Sequence, residues 1–153
     1  MWVPPELKDP ILWQAPTHKT IGMFGAVRLK EGRLVAQQWE QFNGETFEIF
    51  LTHLLRHRLS NKKMVIILDN SRYHHARSLK SWLWDHRRLL RLDFLPSYSP
   101  QLNPIERVWK LTRKMCVHNR YFPTLKDLIS TIECQFISWA KPNECLRRIC
   151  AII

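Results

Sequence analysis

Two acidic residues carry the chemistry this sequence offers. Asp69 ends the apolar run KKMVIILDN, and Glu106 opens the segment NPIERVWK, whose other charges are basic; 36 residues lie between them. The C-terminal end of a buried strand is where α/β folds place their chemistry, which suits Asp69. Glu106, in the first turn of a helix, is favoured in its ionised form by the helix dipole. Two carboxylates about 4 Å apart repel by roughly 4 kcal/mol at an effective dielectric of 20, so such a pair shifts its pKa values or holds a cation. Carboxylate oxygens suit Mg²⁺ or Mn²⁺, which bind through few carboxylates together with phosphate and water. With a phosphodiester added, such ions activate an attacking hydroxyl and stabilise a leaving oxygen. Each acid also has a plainer reading on its own, Asp69 as a cap of the next helix and Glu106 as a complement to a helix dipole.

The chain around these acids is basic. Lys and Arg total 24 against 13 Asp and Glu, a net charge of +11 with a pI near 10.0, in 153 residues of which 45% are hydrophobic. That length and composition fit one domain with one core, and the field attracts polyanions. A membrane surface would call for a basic amphipathic helix with exposed aromatics, whereas the aromatic residues here fit strands and helix cores. No apolar run approaches membrane-spanning length, and MWVPPELKDP lacks the form of a secretory signal. The expectation is a soluble, cytoplasmic protein with nucleic acid as its partner and no membrane role. Cys116, Cys134, Cys145 and Cys150 match no zinc spacing and read as buried thiols.

The elements that must position the acids follow from pattern. TIGMFGAVR (20–28) and RLVAQQW (33–39) flank Lys30-Glu31-Gly32 as a hairpin. Asn43 caps a helix over 44–59 with Phe47, Leu51, Leu54 and Leu55 on one face. KKMVIILDN is too short for a helix and predicts a strand buried on both sides. A second helix is predicted over 72–86 and a short strand over 91–96. Ile105, Val108, Trp109, Thr112, Met115 and Cys116 recur at helical spacing, with Arg107, Lys110, Arg113 and Lys114 on the other faces, meeting solvent or DNA phosphates. Thr124 and Asp127 open a long helix carrying Leu125, Leu128, Ile129, Ile132 and Phe136, and a short helix follows Asn143. The order predicts an α/β fold with a mixed sheet. Residues 1–19, rich in proline, read as an irregular connection.

D-N-S-R-Y-H (69–74) and Y-S-P-Q-L-N-P-I-E-R-V-W (98–109) together closely resemble the second and third acidic motifs of mariner-like transposases and their bacterial insertion-sequence relatives in the DDE superfamily, and the interval is also similar. The longer motif carries the specificity, because Tyr-Ser-Pro, Asn-Pro and Glu recur in order over twelve positions. The resemblance implies an RNase H-like mixed sheet flanked by helices over 20–153, and DNA transposition: endonucleolytic cutting and joining with Mg²⁺ or Mn²⁺. It makes Asp69 and Glu106 the catalytic metal ligands and Asn70, His74 and Asn103 supporting motif residues. Without it, His74 reads as a partly exposed helix residue, and Asn103 with Pro104 as the turn that sets a helix entry. The partners it implies are transposon ends and target DNA, with a homodimer or an assembly with full-length transposase, nucleoid-associated if bacterial.

The same resemblance places a first acid on a central first strand. Glu6 and Asp9 are the only acids before the hairpin, and neither follows an apolar strand. The expectation is therefore an incomplete catalytic domain lacking that strand, its flanking strands either pairing with each other or leaving an exposed sheet. The alternative function is a catalytically inactive module that binds DNA or associates with full-length transposase. A cellular RNase H-like nuclease fits the fold but not the longer motif.

Overall fold

The structure, a computed structural model, describes residues 21–97 and 99–151. The connection expected over 1–19, and Tyr98 of the longer motif, lie outside the described residues. Strands β1 (Met23–Arg28) and β2 (Arg33–Gln38) pair antiparallel, with Ala26 opposite Val35 and Val27 opposite Leu34. Gly32 closes their turn at φ +64, and a Cβ there would collide with the Asn143 carbonyl and the Arg147 amide, so glycine is needed twice over. Because side chains alternate across a strand, Phe24, Ala26 and Val35 join one core while Val27, Leu34 and Ala36 join another.

The first core is built on helix α1 (Gly44–Leu55), which buries Phe47, Phe50, Leu51 and Leu54. Asn43 and Thr46 form a reciprocal capping box at 2.9 and 3.1 Å. The helix stops four residues before the expected 59. The amides of Arg56 and His57 turn back to His53 and Leu54, and Leu59 is exposed, so no apolar residue holds a further turn.

Strands β3 (Met64–Leu68) and β4 (Leu90–Phe94) pair in parallel, joined by a 3-10 turn (Arg72–His75) and helix α2 (Leu79–Asp85). The single helix expected over 72–86 is therefore broken at 76–78. Ala76 and Ser78 pack against Gly44 at the start of α1, so closely that a Cβ on Gly44 would lie 2.6 Å from Ala76. The expectation that β3 is buried on both sides is also corrected. Met64, Ile66 and Leu68 pack into the first core, whereas Val65 is 49% and Ile67 40% exposed.

The second core unites Leu34 with Val108, Trp139, Leu146 and Cys150. It is formed by helices α3 (Pro104–Thr112), α4 (Leu125–Trp139, capped by Thr124 and Asp127) and α5 (Glu144–Ile149, capped by Asn143). After α3 the chain widens into a π turn (Arg113–Val117), in which His118 N donates to Arg113 O at 2.9 Å. The extra residue turns Cys116 into the core and leaves Met115, expected on the apolar stripe, 44% exposed. Of the four cysteines expected to be buried, Cys134 and Cys145 are exposed. Burial raises the Cys116 thiol and pushes Cys150 up to about 11, so under native conditions at pH 8 an alkylating reagent adds to two thiols, and to four after denaturation. Mass spectrometry counts the adducts; four rapid native additions would contradict this packing.

Among the described residues four strands form two separate pairs, and β1 and β3 do not pair with each other. Between them lies a cavity of about 450 Å³. Helix α3 spans its far side and presses Trp109 onto Gly25, where a Cβ would lie 2.4 Å from the indole. Gly25→Ala is expected to destabilise the fold by about 1–3 kcal/mol, read as a fall in Tm of roughly 3–10 °C. An unchanged Tm would show that Trp109 yields without cost. Among the described residues, no helix is long and apolar enough to cross a membrane.

Candidate metal and nucleic-acid site

Parallel pairing carries β3 and β4 to a common end, where Leu95 N still donates to Leu68 O at 2.9 Å. Asp69 emerges there half-exposed. Its Oδ1 accepts from Ser71 N at 3.0 Å and lies 3.1 Å from His74 Nδ1, which is also 3.0 Å from the Asp69 carbonyl. Both neighbours of Nδ1 are acceptors, so Nδ1 carries the ring proton and donates it toward Asp69. His74 is 8% exposed, in place of the partly exposed helix position that spacing suggested, with Phe47 and Tyr73 rings at 4.4 and 4.3 Å. Burial lowers its pKa and outweighs the opposing pull of the Asp69 carbonyl and carboxylate, keeping the imidazole neutral at neutral pH. Asn70 points elsewhere, donating from Nδ2 to Leu95 O and placing Oδ1 3.3 Å from His75 Nε2.

Glu106 lines the same cavity as Asp69, from α3. Asn103, buried, accepts from Ile105 N through Oδ1 at 3.4 Å and from Glu106 N through its carbonyl at 3.1 Å. Pro104 occupies the first helical position, where its missing N–H costs nothing. Glu106 therefore sits in the first turn, exposed, at the positive end of the helix.

Asp69, His74, Asn103 and Glu106 all line the cavity between β1 and β3, and Asn70 does not. Tyr73 and Trp109 line it as well. Sequence spacing placed Trp109 only on a packing face, although its position one turn after Glu106 was a usable signal; nothing local marked Tyr73. Burial pushes the Tyr73 phenol up.

The basic residues of this region divide. Arg107 Nη1 donates to the carbonyls of Ile149 and Ala151 at 2.9 and 3.0 Å, tying α3 to the end of α5. Lys110, Arg113 and Lys114 are exposed and form no ion pair with a described residue. Among the described residues, no group of three or more His, Cys, Asp and Glu side chains is placed to hold a metal. The donors present are two accessible carboxylates of the hard-oxygen type, which fit an ion such as Mg²⁺ that keeps water and substrate phosphate as its remaining ligands.

Comparison with known proteins agrees in family and fold. Residues 1–129 match the family model of the DDE superfamily endonucleases. An uncharacterized protein of Sinorhizobium fredii, y4pE/y4sA, is 31% identical over 108 residues, covering 71% of this chain and 76% of that one. An uncharacterized 39 kDa protein of insertion element IS630 from Shigella sonnei is 25% identical over 93 residues, covering 59% of this chain and 27% of its own length. A chain of the Mos1 strand transfer complex superposes with a TM-score of 0.65 at 18% identity, covering 98% of this chain and 44% of that chain. The chain thus spans less than half the length of the solved transposase it resembles, whose likeness establishes the RNase H-like α/β fold. With most of its length matched by one family model, the chain belongs to the DDE superfamily endonucleases.

Proposed function

We propose that residues 20–153 are the catalytic-domain portion of a DNA transposase, in which Asp69 and Glu106 hold Mg²⁺ or Mn²⁺ against a DNA phosphodiester. The carrying observation is that these two acids, from separate elements, line a single cavity. A bound divalent ion would supply charge neutralisation and activation of the attacking hydroxyl. The protein's own residues arrange the ligands. His74 Nδ1–H orients the Asp69 carboxylate, and Asn103 and Pro104 fix the entry of α3 and so place Glu106 in its first turn. Lys110, Arg113 and Lys114 offer DNA phosphates an exposed basic surface. The insertion-element and strand-transfer relatives support transposon ends and target DNA as partners. The working form in this reading is a homodimer or an assembly with full-length transposase.

The two-carboxylate donor set favours a second reading, a module that binds DNA or full-length transposase without cutting. Incubating the full chain with supercoiled plasmid and Mn²⁺, against a chelator control, separates them. Nicking that needs metal and disappears in Asp69→Asn supports the catalytic reading. Salt-sensitive DNA binding without nicking selects the second, and the absence of both defeats each of them.

A further inference from the structure

Helix α2 divides by periodicity. Leu79, 1% exposed, packs into the first core with Trp82 and Leu83, and the His86 ring stacks on Trp82 at 4.0 Å. Lys80 N donates to Arg77 O at 3.2 Å and Arg87 N to Trp84 O at 3.3 Å, so the helical course extends into both flanking turns. At that spacing Arg77, Lys80, Trp84, Arg87 and Arg88 gather on the outer face, all exposed. Trp84 is 66% exposed and belongs to neither core, against the expectation that the aromatic residues fit strands and helix cores. The Arg87 guanidinium sits 4.2 Å from the indole centroid and donates through Nη1 to Trp84 O at 2.6 Å. These two contacts hold cation and ring together and leave the other ring face to solvent. Arg77, Lys80, Arg87 and Arg88 form no ion pair with a described residue, and Asp85 is the one acid between Asn70 and Leu92.

We infer that this face binds single-stranded DNA, with an unpaired base stacked on the open face of Trp84 and backbone phosphates on Arg77, Lys80, Arg87 and Arg88. Each nucleotide carries a flat ring beside an anion, and an indole surrounded by cations meets both halves at once. A duplex offers these cations its phosphates but keeps its base faces stacked inside. An apolar protein surface would cover Trp84 and leave four cations uncompensated. A membrane surface calls for a row of exposed apolar side chains, and the outer face of α2 supplies Trp84 alone. The choice of DNA over RNA rests on the proposed function, since stacking is blind to the sugar. The site lies on a different element from Lys110, Arg113 and Lys114, which follow Glu106 along α3 and the π turn.

The test uses the full chain without divalent metal, read by fluorescence anisotropy with a fluorescein-labelled oligothymidylate about twelve nucleotides long. A strand of equal length built from abasic sugars keeps every phosphate and removes the bases. The unaltered chain is expected to bind the oligothymidylate about tenfold tighter than the abasic strand. Trp84→Ala abolishes that preference, Trp84→Phe keeps most of it, and both variants retain the parent's affinity for the abasic strand. An oligothymidylate carrying 5-iodouracil, irradiated with the unaltered chain, is expected to attach at Trp84, read by mass spectrometry; this arm decides if a variant does not fold. Equal binding of the two strands by the unaltered chain, a preference that survives Trp84→Ala, or attachment only elsewhere overturns the inference. So does tighter binding of oligouridylate, which gives the face to RNA, and so does Trp84-dependent binding of phosphatidylserine vesicles without a preference for the oligothymidylate, which gives it to a membrane surface. No metal is present and no cleavage is read, so failure here leaves the metal site of Asp69 and Glu106 standing, and failure of that site leaves this one.

Discussion

Glu106→Gln is expected to lower metal-dependent strand cleavage by about a hundred- to a thousandfold. Glutamine keeps the shape of glutamate, and Glu106 is exposed, so packing in the second core is unaffected. The cost to folding is the lost charge at the start of α3, about 0.3–1 kcal/mol, which moves Tm by a few degrees at most. The cost to chemistry is larger, because removing one of two carboxylates leaves a single anionic donor for a divalent ion facing a phosphodiester. Mn²⁺ affinity and cleavage should therefore fall together. Glu133→Gln, at another exposed acid, on α4, should change neither. Single-turnover nicking beside a Mn²⁺ titration gives both readings. A Glu106→Gln chain that cuts as well as the parent removes Glu106 from the metal site.

Local chemistry made much of this fold legible. Asn43, Thr124 and Asn143 open the helices they were expected to open, because a cap is a contract between residues three apart. The hairpin turn is likewise local, fixed by Gly32. What escaped depends on partners far along the chain. The break at 76–78 follows from packing against Gly44, and Arg107 finds its acceptors more than forty residues later, at Ile149 and Ala151. The π turn is invisible to a 3.6-residue stripe, since Met115 and Cys116 both fit it until one residue is added. The run MVIIL fits a strand buried on both sides, yet in the described structure Val65 and Ile67 stand exposed beside an unpaired edge. In the site, the spacing of the two acids was legible and their shared cavity was not, because that depends on how α3 crosses β1.

The basic surface separates affinity from architecture. A residue that neutralises a DNA phosphate displaces a condensed counterion, so each such contact adds about 0.9 to the slope of log affinity against log salt. Lys110, Arg113 and Lys114 point outward without ion-pair partners among the described residues, and replacing all three with alanine is expected to lower that slope by about 2.7. At that slope a fourfold rise in salt weakens the parent's binding about fortyfold more than the variant's. Arg107→Ala should behave differently. Its guanidinium holds the carbonyls that end α5, so its loss lowers thermal stability by about 1–3 kcal/mol and leaves the salt slope nearly unchanged. Fluorescence anisotropy with a short duplex across a salt series, paired with thermal unfolding, reads both quantities. A triple variant with the parent's slope would move the DNA path off this face of α3, and an Arg107→Ala chain with a lowered slope and unchanged Tm would show that Arg107 leaves α5 to meet phosphate.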